Sequence, residues 1–193
     1  MLEEFRGPVQ ILDVGGRLAY WKMMMADVDL GKPIHVTLLN RDAKPVEDPG
    51  FASVVGDARS MPEFADGAFD IVFSNSTIEH VGSLDDQRRM ADEVRRIGRA
   101  YYVQTPNRHF PIEPHFLFPL FQFLPLRVRA WLVQHFALGW YERIRDREAA
   151  WREVSSIQLL DRGSFQGLFP DATVHDERYA GLVKSFVAVR GLK

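Results

Sequence analysis

Five short apolar runs constrain the fold of this chain more than any other feature. They occupy residues 11–14, 35–39, 52–55, 69–73 and 100–103, and each ends in small or polar residues. Continuous runs rich in β-branched and aromatic residues are typical of strands buried on both faces of a parallel sheet. The polar residues after each run then lie together at the carboxyl edge of the sheet, where open α/β sheets bind ligands.

Helical patterns separate the runs. Residues 18–26 can follow the first strand, and Ser83 with Asp86 has the spacing of a capping box that begins a helix. Gly98 is the expected C-cap of that helix, and Asp161 is expected to cap a short helix that ends at Leu168. Only ten residues, 41–50, link the second and third runs, so we expect an irregular loop there rather than a crossover helix.

Two late apolar runs, at residues 173–175 and 186–189, predict an antiparallel hairpin at the sheet edge. The sequence therefore predicts a single α/β domain over residues 1–193. Its sheet is expected to be doubly wound and mostly parallel, with the antiparallel hairpin at its end.

An aromatic-rich segment separates the fifth run from the late hairpin. Nine of the 23 aromatic residues lie within residues 110–141, which predicts a helical, aromatic-rich insert at about residues 108–155. We expect this insert to cover the carboxyl edge as a lid, with Phe116 and Phe118 over a pocket. Two alternatives stay open: the aromatic residues pack only on one another, or, beside nearby arginines, they contact an anionic lipid surface.

Composition excludes several classes of protein. The formal charge of −2 and the lack of a basic stripe argue against a nucleic-acid partner. The absence of cysteine excludes disulfides, thiolate catalysis and cysteine-ligated metals. The first ten residues lack the apolar core of a signal peptide, and prolines interrupt the longest apolar stretch, 116–126. We therefore expect a cytoplasmic protein without a membrane span.

The glycine turn after the first run suggests a nucleotide cofactor. A nicotinamide fingerprint would place glycines at positions 15, 17 and 20, but the chain has Gly15, Arg17 and Tyr20. The second run also ends in Asn40, where that fingerprint expects an acidic residue near the ribose. A nicotinamide-dependent oxidoreductase therefore remains only an alternative.

Four motifs together resemble the class I S-adenosylmethionine-dependent methyltransferases, particularly the family called type 11. Residues 11–16 are similar to the first motif, Asn40 follows the second strand, residues 56–58 resemble the loop after the third, and residues 69–81 resemble the fourth motif. The resemblance covers about residues 9–115 and the late hairpin. It implies a Rossmann-like methyltransferase fold and S-adenosylmethionine as the cofactor.

The resemblance also implies a set of cofactor-binding residues. Asp13 would favour the ammonium end of the cofactor, Asp57 would accept from the adenine amino group, and the Ala58 N–H would donate to the ring. Asn40 stands where the family usually has an acidic residue, so we expect a carboxylate to fit there. The full predicted set is Asp13, Gly15, Gly16, Asn40, Asp57, Ala58, Ser74 and Asn75.

Catalytic residues are weakly signalled, because methyl transfer depends mainly on proximity and orientation. A base is required only if the acceptor must lose a proton. The candidates follow the fourth and fifth strands and are Glu79, His80, His109, Glu113 and His115. The alternative for Glu79 and His80 is a purely structural role at the sheet–helix junction. His109, Glu113 and His115 could in principle bind a metal, but no metal site is expected, because the chain lacks cysteine and paired histidines on a helix.

The function predicted from the sequence is methyl transfer from S-adenosylmethionine to a small or apolar acceptor. A non-catalytic relative that keeps the fold as a binding or scaffold module is the main alternative. The expected partner is a small molecule. The sequence does not identify the acceptor, the general base or the oligomeric state.

Overall fold

The structure, a computed structural model, describes residues 7–26, 31–42 and 45–192. The strands of these residues are β1 Val9–Val14, β2 Ile34–Asn40, β3 Phe51–Val55, β4 Phe69–Asn75, β5 Gly98–Pro106, β6 Ile112–Glu113, β7 Phe118–Pro119, β8 Thr173–Tyr179 and β9 Leu182–Arg190. The α-helices are α1 Leu18–Met25, α2 Leu84–Ile97, α3 Leu126–His135, α4 Arg147–Ser156 and α5 Arg162–Leu168. Two short 3₁₀ turns, Ile78–His80 and Phe121–Phe123, complete the regular structure.

A seven-stranded sheet of order β3-β2-β1-β4-β5-β9-β8 organises the described residues. The first five of these strands are parallel, whereas β9 is antiparallel to both β5 and β8. The predicted doubly wound sheet and its terminal hairpin are confirmed. The chain reverses its direction of travel across the sheet between β1 and β4, so a ligand-binding crevice is expected at their carboxyl ends.

Helices cover both faces of the sheet. On one face, α2 and α5 bury residues such as Met90, Val94 and Phe165 against β4, β5 and β9. On the other face, Trp21 of α1 packs with Val36 and neighbouring apolar residues of β1 and β2. No helix in the described part of the chain is long and apolar enough to cross a bilayer.

Capping fixes the position of α2. Ser83 accepts a hydrogen bond from the Asp86 backbone N–H, and the Asp86 carboxylate accepts one from the Ser83 N–H, so the predicted capping box is confirmed. Gly98 ends the helix, but with an extended backbone at φ −94°. A Cβ at this position would lie 2.8 Å from Val72 Cγ2 and from the Ala100 carbonyl oxygen. The glycine is therefore required for close packing at the start of β5 and does not form a left-handed cap.

The link between β2 and β3 is irregular where it is described, as expected. Residues 41–42 and 49–50 form turns, and residues 45–48 have no regular structure. Residues 43–44 of the predicted loop lie outside the described residues. Asp161 caps α5 by accepting from the Ser164 N–H at 2.8 Å, and that helix ends at Leu168 as predicted.

The segment between β5 and α5 has an apolar core of its own. β6 and β7 form a small antiparallel pair, and α3 packs against α4. Phe116 is 2% exposed and Phe121 is 1% exposed within this core, which also contains Val133 and Val154. Phe116 does not lie over the carboxyl edge as expected: its ring packs between Phe121 and Tyr141 and lines only a small cavity of about 120 Å³ beside the core of the insert. Phe118 is half-buried against the same core.

Phe116→Ala is expected to lower the free energy of unfolding by about 3–5 kcal/mol, since truncation of a buried Phe removes contacts and leaves a cavity. Phe123→Ala is the matched control, because Phe123 lies in the same segment and is 48% exposed. Urea unfolding of both variants measures the difference. Equal losses in the two variants would contradict the assignment of Phe116 to the core.

Candidate functional site

A cleft runs along the carboxyl edge of the parallel strands and consists of two adjoining cavities. The small cavity, of about 160 Å³, lies over Asn40, Asp57 and Ala58. The large cavity, of about 550 Å³, lies over Asp13 and extends to His115 and Tyr141. Gly15, Thr77 and His80 line both cavities, so the two adjoin at the turn after β1, with the Thr77 side chain packed against Gly15 between them.

The turn after β1 has no room for side chains. Gly15 has φ +81°, and a Cβ there would lie 2.3 Å from Thr77 Oγ1. A Cβ on Gly16 would lie 1.8 Å from Asp13 Oδ2. Both glycines are therefore required by the surrounding structure, and the bare backbone forms the floor of the cleft. Arg17, the exposed residue after these two glycines, lines the large cavity.

Asp13 is a buried carboxyl group below this turn. Its Oδ2 accepts a hydrogen bond from Trp21 Nε1 at 2.6 Å, which joins β1 to α1. Burial raises the pKa of Asp13 to about 7, and the Trp21 hydrogen bond only partly offsets this effect. A cation bound beside Asp13 would favour its ionised form.

Asn40 uses its amide as a donor. Nδ2 donates to the Gly16 carbonyl oxygen at 2.8 Å and so ties the end of β2 to the turn after β1. A carboxylate at position 40 would place an acceptor against another acceptor. This contact argues against the expectation that an acidic residue fits at this position.

Asp57 is a permanently ionised acceptor at the wall of the small cavity. Arg59 Nη2 donates to Asp57 Oδ2 at 2.6 Å, and the Arg59 backbone N–H donates to Oδ1 at 3.0 Å. The Arg59 hydrogen bonds hold the pKa of Asp57 well below its usual range. Arg59 also pairs with Asp86 at the start of α2, which fixes the loop after β3. The Asp57 side chain remains 37% exposed and can accept further donors.

Ser74 and Asn75 have different surroundings, although they are adjacent. Ser74 is fully buried, and its hydroxyl donates to the Val14 carbonyl oxygen at 3.2 Å. This places Ser74 between β4 and β1, outside both cavities. Asn75 is exposed in the large cavity, with Nδ2 at 3.4 Å from the Tyr20 hydroxyl.

Four of the five catalytic candidates meet at the far wall of the large cavity. His80, after β4, and His115, after β5, approach with 3.0 Å between their Nε2 atoms. Glu113 lies behind His115, with 2.6 Å between Oε1 and Nδ1, and Glu79 Oε1 lies 3.8 Å from His115 Nε2. His109 is exposed, and its ring lies against Phe123 instead.

Burial changes the protonation of this group. It raises the pKa of Glu79 to about 7, although the opposing effects include a hydrogen bond from Thr105. Removal of water and the neighbouring His115 together lower the pKa of His80 to about 4, even though part of the His80 side chain faces the cavity. Burial is the largest single effect on His115 and opposes its protonation, but the hydrogen bond to Glu113 and the neighbouring carboxylates together outweigh burial and raise the pKa of His115.

Aromatic side chains that were absent from the predicted set line the large cavity. Tyr20 of α1 and Phe73 of β4 form one wall, and Tyr141 of the insert contributes to the opposite side. Tyr141 belongs to the aromatic-rich segment, but sequence spacing gave no means to separate it from the aromatic residues that pack inside the insert. The ring of Tyr141 stacks on Phe116, which fixes its position.

Comparison with known families identifies part of this chain. Residues 17–100 match a family model described as a methyltransferase domain. Two Mycobacterium tuberculosis proteins described only as uncharacterized are 33% identical over 91 residues. That match covers 47% of this chain and 30% of the length of each of these relatives.

Solved structures share the fold at low identity. A complex between the Haloferax volcanii Trm112 methyltransferase activator and a protein described as a methyltransferase matches at TM-score 0.56 and 14% identity, over 96% of this chain and 82% of the other. A Methanosarcina mazei chain described as a SAM-dependent methyltransferase matches at TM-score 0.53 and 16% identity, over 96% and 92%.

A Rhodobacter sphaeroides protein described as a Zn-dependent alcohol dehydrogenase matches at TM-score 0.56 and 12% identity, over 97% of this chain and 85% of the other. Likeness at this level shows the fold alone. With the family match over residues 17–100, these comparisons confirm the resemblance to class I methyltransferases and the Rossmann-like methyltransferase fold.

Asp13→Asn is expected to change how stability depends on pH. The folded-state pKa of Asp13 is about 7 and lies above the unfolded value, so its contribution to stability is complete below about pH 4 and is lost as the pH rises to 7. Between pH 5 and 7.5 the wild type should lose about 2 kcal/mol relative to the neutral variant. Urea unfolding at several pH values measures this difference.

Asp85→Asn serves as the control for that experiment, because the Asp85 side chain is 79% exposed. Its stability should follow the wild-type pH dependence. Parallel curves for wild type and Asp13→Asn would mean that Asp13 is ionised throughout this pH range.

Proposed function

We propose that this chain, which carries a methyltransferase domain of the class I fold, transfers the methyl group of S-adenosylmethionine to an acceptor in the large cavity. The observation that carries the proposal is the pair of adjoining cavities at Gly15, with an ionised carboxylate, Asp57, at the small cavity and a buried one, Asp13, at the large cavity. A ligand that spans this cleft needs hydrogen-bond donors at one end and a positive group at the other. S-adenosylmethionine has both.

The residues at the small cavity fit the nucleoside part of the cofactor. Arg59 donates to both Asp57 oxygens, and Arg41 Nη2 makes a longer contact with Oδ2, at 3.4 Å. The adenine amino group would take the place of Arg41 at this carboxylate, which is 37% exposed. The Ala58 backbone N–H is the proposed donor to the ring. Asn40 retains its side-chain oxygen for the ribose hydroxyls while its Nδ2 holds Gly16.

The residues at the large cavity fit the methionine part. Gly15 and Gly16 line this cavity and are proposed to contact the cofactor through backbone atoms, and Asp13 would be ionised by the nearby ammonium group. The bound cofactor supplies a methyl group on a positively charged sulfur. The protein then has to orient an acceptor in line with the sulfur–carbon bond and exclude water.

The acceptor end combines aromatic walls with polar ring nitrogens. Tyr20, Phe73 and Tyr141 provide apolar contact area, whereas His80 and His115 present polar atoms to the same space. We propose an acceptor with an apolar body and one polar group that reaches the two histidines. The insert at about residues 108–155 is proposed to act as the lid, through His115 and Tyr141 rather than through Phe116.

Arg17 supports the main alternative, a non-catalytic relative that keeps the fold as a binding module. Arg17 lines the large cavity, and a cation there opposes a positively charged cofactor. The nicotinamide alternative has only Gly15 of its three fingerprint glycines. Calorimetric titration with S-adenosylhomocysteine and with NAD separates these readings: affinity for the first supports methyl transfer, affinity for neither supports the binding module.

Asp57→Ala is expected to weaken S-adenosylhomocysteine binding by roughly tenfold to a hundredfold, the effect of losing a hydrogen bond to a charged group at about 1.5–3 kcal/mol. Asp57→Asn keeps one acceptor oxygen and should lose less. Asp66→Ala is the control, because Asp66 is an exposed carboxylate outside the cleft. Calorimetry gives the affinities, and an unchanged affinity for Asp57→Ala would remove Asp57 from the binding site.

Asn40→Asp is expected to weaken cofactor binding and to lower the melting temperature. The substitution replaces the donor to the Gly16 carbonyl oxygen with an acceptor, which displaces the turn that forms the cleft floor. Calorimetry and thermal melts measure the two effects. Tighter binding by the variant would show that position 40 serves the ribose without holding the turn.

A further inference from the structure

We infer that Glu79, His80 and His115 form a binding site for one divalent transition-metal ion, with Zn²⁺ or Mn²⁺ the best match to the donor set. One ligand atom of each side chain lies within 4.8 Å of the others. The site is at the wall of the large cavity, to which both histidines contribute. The sequence, by contrast, predicts no metal site.

The two imidazoles already have the spacing of metal ligands. Their Nε2 atoms are 3.0 Å apart, and the ring planes are nearly perpendicular, at 88°. Two nitrogens bound at the usual zinc distance of about 2.0–2.1 Å are about 3.3 Å apart in a tetrahedron and about 2.9 Å apart in an octahedron. An ion between these atoms needs only a small adjustment of the rings.

The buried carboxyl group of Glu79 gives independent support for a bound cation. Its side chain is fully buried, and Oε1 has no hydrogen-bond partner. The other carboxylate oxygen accepts from Thr105 Oγ1 at 3.0 Å, which turns Oε1 toward His115. A buried polar atom without a partner destabilises a protein, and coordination of a cation would satisfy this one.

Glu113 orients the His115 ligand from behind. One Glu113 oxygen lies 2.6 Å from His115 Nδ1, and the other accepts from the backbone N–H groups of His115 and Phe116, each at 2.8 Å. Donation of the Nδ1 proton to Glu113 leaves the Nε2 lone pair directed at the site. A carboxylate behind a ligating histidine is the usual arrangement at protein metal centres.

The donor set selects the ion. Two imidazole nitrogens and one carboxylate oxygen suit zinc and other first-row transition ions, whereas Mg²⁺ and Ca²⁺ favour oxygen ligands throughout. Three protein ligands leave coordination positions open toward the large cavity, as in catalytic zinc sites. No sequence motif predicts this site, because His80 and His115 are 35 residues apart and follow two adjacent strands, β4 and β5.

The open positions indicate the class of acceptor, and this step rests on the proposed function. A metal ion here would bind an acceptor through a hydroxyl group and would lower the pKa of that hydroxyl. In the transfer, a bond forms between the acceptor oxygen and the methyl carbon as the sulfur–carbon bond breaks. The acceptor hydroxyl loses its proton to the solvent before water is excluded for the transfer, and S-adenosylhomocysteine is released afterwards.

The test uses the full chain without a polyhistidine tag, stripped with a chelator. Zn²⁺ is titrated by calorimetry, and metal content is measured by mass spectrometry after dialysis. We expect one Zn²⁺ per chain, with affinity reduced by more than about a hundredfold in His80→Ala, His115→Ala and Glu79→Gln. Glu113 does not bind the ion but orients a ligand. Glu113→Gln should therefore reduce the affinity by about 10–100-fold. Bound Co²⁺ should give ligand-field absorption that His80→Ala loses.

His175→Ala is the matched control, since His175 is exposed on β8, away from the cluster, and should bind Zn²⁺ like the wild type. Circular dichroism confirms that each variant is folded, and His80 is exposed enough for its truncation to be tolerated. Absence of Zn²⁺ binding by the wild type would overturn the site. So would wild-type affinity for Zn²⁺ in both His80→Ala and His115→Ala. Zn²⁺ binding without affinity for S-adenosylhomocysteine would overturn the proposed function and leave the metal site standing.

Discussion

Close packing around the turn after β1 is the constraint on which the rest of the site depends. The Gly15 N–H donates to the Leu39 carbonyl oxygen at 2.8 Å, and Asn40 donates to the Gly16 carbonyl oxygen. Asp13 and Thr77 occupy the space on either side where Cβ atoms would lie. Strands β1 and β2 and the loop after β4 are thereby held at one point, and the small and large cavities meet above it.

The second half of the site depends on strand order rather than on any one contact. Because β4 and β5 are adjacent and parallel, the loops that follow them emerge side by side. That adjacency brings Glu79 and His80 to Glu113 and His115. The insert packs on its own core, so its contribution to the large cavity reduces to a few residues that face outward from that core.

The sequence was sufficient to predict the sheet, because buried parallel strands leave continuous apolar runs and their ends are marked by polar residues. It was also sufficient for the Ser83 capping box, which is a local interaction. The direction in which each aromatic side chain points could not be predicted. Phe116 and Tyr141 both belong to one aromatic-rich segment, and only the packing of α3 on α4 decides which of them is core and which lines the cavity.

The direction in which polar side chains point could not be predicted either. Asn40, Ser74 and Asn75 were all expected to face the cofactor, yet Ser74 is buried between strands and Asn40 holds the backbone with its donor. Such partners are distant in sequence, so no spacing rule identifies them. The metal cluster was missed for the same reason, since its ligands come from two loops and become neighbours only through the order of the strands.

The proposed cofactor crosses the turn after β1, from Asp57 to Asp13. A crystal structure of the chain with S-adenosylhomocysteine shows whether it does. We expect the adenine amino group at the Asp57 carboxylate, the sulfur above the turn after β1, and the amino group of the homocysteine end near Asp13. Ligand density elsewhere on the molecule, or an adenine that leaves the small cavity empty, would contradict it.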